Sequence, residues 1–338
     1  MTSGCSTKAH PTSARDAYLR ASTYYRSAEF FLHGNSADPR IADAYDRSIE
    51  CFHRAIEGFA GVERVELPYE GHVLRGYFYR ASGTARRPNL LAHNGFDGSA
   101  EQVHFFGAAG GQERGYHVLA FDGRRQPSAI HRDGLVFRPA WEHVVGPVLD
   151  FVLADAGVDP DKVALLGLSL GGMLAPRGAA FDERIKAVVA VAGVFDVGSA
   201  VTAFQPWDRT AIERRANAPQ DEELDKPLAA GRWATDHGRY VMGAATDREF
   251  LAKYLPYTLD GGVAERIKCP TLVCEAADDL FFNGDGETQP EARRVNERLT
   301  GPKTLLSFTY EEGADAHCHV GAQRLATAPV FDWLDETL

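Results

Sequence analysis

The chain has 338 residues, of which 44% are hydrophobic, so it can form one large domain or a domain with a cap around a sizeable core. Its formal net charge of −11 excludes nucleic acid and anionic membrane as expected partners, because both are polyanions. Beyond that the acidity bears on solubility alone, and the small-molecule substrate expected as partner rests on the motifs of the chain.

Taken in chain order, Met1 to Ala14 is polar and has no apolar core of the kind a signal peptide carries. Residues 14 to 60 then read as two helices. Tyr18, Leu19, Tyr25, Phe30 and Phe31 recur at mixed three-to-four spacing. After the break Gly34 to Pro39, Ile41, Ala44, Tyr45, Ile49, Phe52 and Ile56 do the same. From Val62 the period changes to that of strands, with 65–69 and 73–79 flanking a turn at Glu70-Gly71. Strands at 89–93, 117–121, 163–166, 185–191, 271–275 and 303–310 then alternate with helices at 99–114, 140–155, 171–181, 288–299 and 321–337. Short apolar strands alternating with helices predict an α/β fold, a mostly parallel, doubly wound sheet covered on both faces.

The alternation stops between Val197 and Val263, a polar stretch with Pro206-Trp207, Trp233 and Pro256 that reads as helices without strands. The expected division is an N-terminal helical cap segment at 1–61, core at 62–196, a helical lid insertion at 197–263 and core again at 264–338. A lid inserted there would cover the C-terminal edge of the sheet, where open α/β sheets bind ligands. The five cysteines, Cys5, Cys51, Cys269, Cys274 and Cys318, are odd in number and scattered. They fit reduced thiols in a cytoplasm rather than a disulfide framework, with Cys269 and Cys274 as core thiols. No apolar run is long enough to span a bilayer.

Gly167-Leu168-Ser169-Leu170-Gly171-Gly172 stands between the 163–166 strand and the 171–181 helix. This G-x-S-x-G spacing places a serine at the apex of a turn too tight for side chains at its flanks, a nucleophile elbow. A serine nucleophile needs a base, and the base an orienting acid. Asp278 and Asp279 follow the 271–275 strand; His317 and His319 follow the 303–310 strand. The order Ser, Asp, His, each at its own strand end, is that of a hydrolytic triad. Asp278 is preferred over Asp279 as the acid, and His317 over His319 as the base. Leu170 N–H and Phe96 N–H, the latter from the turn His93 to Gly98, are the candidate donors to an oxyanion. A zinc site at His317-Cys318-His319 lacks a second ligand pair at metal-site spacing, so neither metal nor cofactor is expected. Asp122 reads as a scaffold carboxylate, and Pro176 should kink the helix behind the elbow.

Several segments together resemble one group of α/β-hydrolases, that of the fungal yellowish-green pigment hydrolases, which shorten aromatic polyketides, and of the bacterial dihydropseudooxynicotine hydrolase. They are Tyr18 to Ser22, Phe30 to Gly34, Gly167 to Gly172, Lys268 to Val273, Ala316 to Cys318 and Phe331 to Asp335. The resemblance implies an α/β-hydrolase fold, a helical lid built from the N-terminal segment and the insertion, and the triad Ser169, Asp278 and His317. It also implies cleavage of a carbon–carbon bond next to a ketone, and it admits a homodimer. One departure is Arg124-Arg125, where the relatives tend to have Pro-Gly. The alternatives on the same residues are a carboxylesterase or acyl-peptide hydrolase, an acyltransferase or cyclase, and a ligand receptor without catalysis.

Overall fold

The computed structural model describes residues 10–204, 217, 229–283 and 289–338. Pro206-Trp207, Cys5 and position 288 of the sequence reading lie outside these residues. Eight strands form one sheet: β1 (Val62–Tyr69), β2 (His72–Tyr79), β3 (Arg87–His93), β4 (His117–Phe121), β5 (Val158–Leu168), β6 (Ala187–Val191), β7 (Thr271–Ala276) and β8 (Lys303–Phe308). Their order is β1-β2-β4-β3-β5-β6-β7-β8. β2 is antiparallel to both its neighbours, β1 and β4, and every other pairing is parallel. The chain therefore moves outward from β3 to β4 and returns to β5 on the other side of β3. That reversal opens a crevice at the C-terminal ends of β3 and β5.

The strands alternate in register with two cores. Val163 and Leu165 of β5 face one layer with Val145, Val148, Leu149 and Leu174; Ala164, Leu166 and Leu168 face the other with Val103, Phe106, Val330 and Phe331. Apolar residues on both faces are what a sheet covered on both sides requires. The helix Glu142–Leu153 and the nucleophile-side helix Gly171–Phe181 cover the first face, and Gln323–Thr337 the second. The stretch 99–114 is not one helix. It runs as Ala100–Val103, a wider turn His104–Ala108 and Ala109–Glu113, with Gly107 in non-helical geometry. Pro176 lies within Gly171–Phe181, which continues past it. A helix at Pro127–Asp133 was not anticipated, although Pro127 opens it and Gly134 closes it in the left-handed region.

The first two helices are α1 (Pro11–Phe30) and α2 (Pro39–Ile56). α2 packs an apolar stripe, Ile41, Ala44, Tyr45, Phe52 and Ile56, and Phe52 meets Tyr77 of β2 at 4.8 Å between ring centroids. α1 does not bury the aromatic groups its sequence offers. Its buried residues are Ala14, Ser22, Arg26 and Glu29, while Tyr24 and Phe31 stay exposed. At the end of α1, Phe30 stacks on Trp233 of the helix Ala229–Met242 at 4.5 Å, joining the hairpin to the insertion.

The elbow depends on glycine. A Cβ at Gly167 would overlap the Gly171 carbonyl, which is backbone and cannot turn aside. Gly167→Ala is expected to destabilise the protein by roughly 3 kcal/mol or more, read as a lower thermal midpoint by calorimetry, whatever its effect on activity.

Candidate active site

Ser169 follows β5 directly and has φ +59, a left-handed conformation that non-glycine residues seldom adopt. Its N–H donates to the Val191 carbonyl at 3.1 Å, tying the turn to the end of β6. Ser169 is half-buried and its side chain stands clear of the sheet.

His317 lies in the loop after β8. Its Nε2 is 2.9 Å from Ser169 Oγ, and its Nδ1 is 2.8 Å from Asp279 Oδ2. With Nδ1–H donating to the carboxylate, Nε2 is left to accept the serine proton. The arrangement can therefore move a proton from Oγ to the imidazole. The rings of Phe281 and Phe282 lie 4.7 and 5.6 Å from that of His317.

The acid partner corrects the sequence expectation: Asp279, not Asp278, meets His317. Asp278 is exposed, and its backbone forms a bridge with Ala316, donating N–H to the Asp315 carbonyl at 2.9 Å. In that extended pairing successive side chains point to opposite sides. Asp279 thus turns inward, where Oδ1 accepts N–H from Phe281 (2.8 Å) and Phe282 (3.1 Å) and Oδ2 is free for the imidazole. His319 is buried against Phe308, with Nδ1 on the Ala314 carbonyl at 2.7 Å.

The turn after β3 stands beside the elbow because His93 of β3 pairs with Gly167 of β5. A Cβ at Gly95 would lie 2.6 Å from Leu170 N, so only glycine lets the two backbones come this close. Among the described residues, neither Leu170 N–H nor Phe96 N–H has an acceptor. Leu170 and Phe96 thus carry N–H groups free to donate, on the two segments that meet beside Ser169. Asp122, the neighbouring carboxylate, accepts the N–H of Ala100 (2.7 Å) and of Ser128 (2.8 Å), holding two helix starts in place.

A model of the alpha/beta hydrolase family matches residues 90–329. Hydrolase LUC6 of a Fusarium species is 33% identical over 347 residues, covering 95% of this chain and 80% of that protein. The 20-hydroxy-prefusarin hydrolase FUS2 of Gibberella moniliformis is 33% identical over 342 residues, covering 96% and 81%. The chain belongs to the alpha/beta hydrolase family. Its fold also matches the crystal structure of the 2,6-dihydroxy-pseudo-oxynicotine hydrolase, with a TM-score of 0.73 at 20% identity over 96% of this chain and 81% of that one. The family model begins at residue 90 and so leaves out the N-terminal hairpin, whereas the two fungal relatives align with nearly the whole chain.

In this hydrolase the hairpin brings a buried polar network to the site, which sequence reasoning missed. Arg125 Nη2 is 2.7 Å from His237 Nε2, His237 Nδ1 is 2.6 Å from His33 Nδ1, and His33 Nε2 is 2.5 Å from Glu29 Oε1. Glu29 also takes His131 Nε2 at 3.1 Å and Arg26 Nη1 at 2.6 Å. Guanidinium can only donate, so the series runs from Arg125 to His237, His237 to His33 and His33 to Glu29, with both imidazoles neutral; the Phe96 carbonyl, 3.1 Å from the same His237 Nε2, then receives no proton from it. Burial, with Arg125 close by, pushes both imidazoles below their ordinary pKa; the hydrogen bond that His33 donates to Glu29, and the charge of that carboxylate, oppose this at His33. Burial would raise Glu29, but His131, His33 and Arg26 outweigh it and hold the carboxylate far below its usual range. Glu29, His33 and His131 bring one donor atom each within 4.8 Å of one another, close enough for a metal ion. Their mutual hydrogen bonds and the adjacent arginine account for the cluster without one.

Burial works against an imidazolium at His317. The Cys318 sulfur, 3.5 Å from Nε2, and the Asp279 carboxylate outweigh it, and the pKa stands above the ordinary value. Replacing Asp279 by Asn removes the negative partner, so the His317 titration should move to lower pH by roughly 1 to 3 pH units. Asp278→Asn should leave it in place. Nitrogen-15 NMR of the imidazole reads both, and a shift in the second variant instead would reverse the assignment.

Proposed function

We propose that this hydrolase is a serine enzyme that cleaves the carbon–carbon bond beside a ketone in a polyketide-like or aromatic metabolite. Ser169, His317 and Asp279 form its triad, and Leu170 and Phe96 N–H its oxyanion hole. The observation that carries the serine chemistry is the continuous series Asp279–His317–Ser169 at 2.8 and 2.9 Å, at an elbow where Leu170 N–H and Phe96 N–H have no acceptor among the described residues. The substrate class draws on the similarity to the 20-hydroxy-prefusarin hydrolase and on the aromatic setting of the oxyanion turn. Phe96 has Tyr254 at 5.4 Å, His237 at 4.9 Å and Phe137 in parallel at 6.4 Å. Flat, polarisable walls of this kind suit aryl or conjugated ketones. The hairpin at 1–61 and the insertion at 197–263 serve as the lid.

In this reading Ser169 Oγ attacks the ketone carbon as its proton passes to His317 Nε2. The carbonyl oxygen becomes an oxyanion held by Leu170 and Phe96 N–H. Collapse breaks the carbon–carbon bond. The electron pair leaves on the carbon next to a second carbonyl, as an enolate, and His317 returns the proton to it. The acyl-Ser169 ester remains. Water, deprotonated by His317, attacks it and releases a carboxylic acid and free Ser169. Asp279 keeps the imidazole in the tautomer that accepts at Nε2 and stabilises the cation formed between the steps.

An aryl β-diketone such as benzoylacetone should be cleaved to a carboxylic acid and a ketone. In D₂O the freed carbon should take up one deuterium from the imidazolium beyond those the diketone methylene gains by its own enolisation, counted by mass spectrometry and NMR against a control without enzyme. A serine-directed fluorophosphonate should label Ser169, and Ser169→Ala should abolish labelling and lower turnover by about 10³-fold or more. Asp279→Asn should cost on the order of 10⁴-fold. Rapid hydrolysis of short esters without ketone cleavage would make a general esterase the better reading, while labelling that survives in Ser169→Ala would displace the serine itself.

A further inference from the structure

The turn that carries Phe96 is held by side chains from three separate parts of the chain. Gln126 Nε2 and His93 Nδ1–H both donate to the Asn94 carbonyl, the latter at 2.8 Å. Asn94 Nδ2 donates across the turn to the Ser99 carbonyl at 3.1 Å, and Gly98 has no Cβ because one would overlap the Asn94 amide. These contacts fix the two ends of the turn from within the core. Its outer part, just past Phe96, is held from elsewhere. Arg26 Nη2, from α1, donates to the Asp97 carbonyl across 71 positions of sequence and lies 4.0 Å from the Asp97 carboxylate.

Arg26 is itself fixed. It is buried, and its other terminal nitrogen is 2.6 Å from Glu29 Oε2. Glu29 in turn is gripped by His33 and by His131 of the Pro127–Asp133 helix, and His33 by His237 of the insertion. Ser22, Arg26 and Glu29 of α1, with His33 just beyond it, follow a 4-3-4 spacing and share one buried stripe. A stripe meant only to pack would be more stable if apolar, because burying an ion pair costs desolvation that well-packed apolar groups avoid. What the polar stripe supplies instead is a guanidinium fork at one defined place, against a carbonyl of the catalytic turn.

We propose that Arg26 is a positioning residue for catalysis: by holding the Asp97 carbonyl it sets the orientation of the turn that presents Phe96 N–H to the oxyanion. The N-terminal hairpin is then a structural part of the oxyanion hole as well as a cover for it. This inference rests on the reading of Phe96 N–H as an oxyanion donor. Lysine cannot stand in fully, since an ammonium lacks the planar fork that reaches Glu29 and Asp97 together.

The test uses the full chain and an alkyl fluorophosphonate, whose reaction with Ser169 needs no knowledge of the substrate and builds charge on an oxygen in the same place. Arg26→Met should lower the maximal phosphonylation rate by roughly 10- to 100-fold, the scale of a misplaced catalytic group, with little change in the concentration for half-maximal rate. Arg26→Lys should recover part of the loss. Phe96→Pro deletes the N–H, and in that background Arg26→Met should cost nothing further, because both changes act on one interaction. A rate for Arg26→Met within about threefold of the parent overturns the proposal, as does a loss that simply multiplies with that of Phe96→Pro. If Phe96→Pro alone is without effect, the oxyanion reading fails; if it is slow and Arg26→Met is not, only the role of Arg26 fails. Should Phe96→Pro not fold, the single variants still decide. A loss confined to the maximal rate and partly restored by lysine supports the proposal. A loss that lies in binding, or a lysine variant no better than methionine, overturns it.

Discussion

The constraint on which the site depends is the closeness of three backbones at the elbow. A Cβ at Gly172 would lie 2.5 Å from the Ala192 carbonyl at the end of β6, and one at Gly95 would lie 2.6 Å from both the Leu168 carbonyl and Leu170 N. The ends of β3, β5 and β6 therefore meet with nothing but hydrogen atoms between them. Within that contact Ser169 is held at φ +59, which costs on the order of 1–3 kcal/mol and persists only because neighbouring backbone over-determines it. The same contact joins the segments that carry Leu170 N–H and Phe96 N–H. Neither could be there if the flanking residues carried side chains.

The partners of Ser169 come from strands further along the sheet, and one pairing between irregular loops sets their direction. Asp278 bridges to Ala316, so the loop after β7 and the loop after β8 advance together past the sheet edge. The residue next to each then points inward: Asp279 on one side and His317 on the other. Asp278 thus matters through its backbone, while its carboxylate faces solvent. The sequence shows that an aspartate and a histidine follow the right strands. It does not show which of two adjacent aspartates turns inward, because that is decided by pairing with a residue 38 positions away in a segment with no period. Strands, by contrast, declare themselves: the runs at 117–121 and 271–275 carry their apolar residues locally, and the sheet forms where they are.

α1 was misread for a different physical reason. Its apolar residues suggest a packing face, but Tyr18, Leu19, Tyr25 and Phe30 are only half-buried, Phe31 just beyond the helix is 77% exposed, and three of the four buried positions, Ser22, Arg26 and Glu29, are polar. Hydrophobic periodicity is blind to a face whose period is written in polar residues. The 4-3-4 spacing of Ser22, Arg26, Glu29 and His33 was there to be seen. Its meaning came only from partners contributed by Asp97, His131 and His237, which are distant in sequence. α2, which buries Ile41, Tyr45, Phe52 and Ile56, followed the ordinary rule and was legible.

The charges around the site also divide its histidines into two kinds. Arg26 and Arg125 are balanced by Glu29 and by Asp97; burial lowers the Arg125 guanidinium to about 10 even though the Asp97 charge supports it. With the charges matched, His33 and His237 have no need to ionise, and burial keeps them neutral. His93 is likewise pushed down to about 4 by burial, with Trp141 Nε1–H donating to its Nε2 at 3.2 Å. These rings act as fixed donors and acceptors whose geometry does not change near neutral pH. His317 is the one described histidine moved the other way, because the Cys318 sulfur beside its Nε2 and the Asp279 carboxylate at its Nδ1 outweigh burial. Protonating it blocks acceptance of the Ser169 proton, so in the proposed mechanism reactivity at Ser169 falls as pH drops through the His317 pKa. The imidazoles of His33, His237 and His93 stay neutral near neutral pH, whereas burial lifts the Asp122 carboxyl, which holds two helix starts, to about 7.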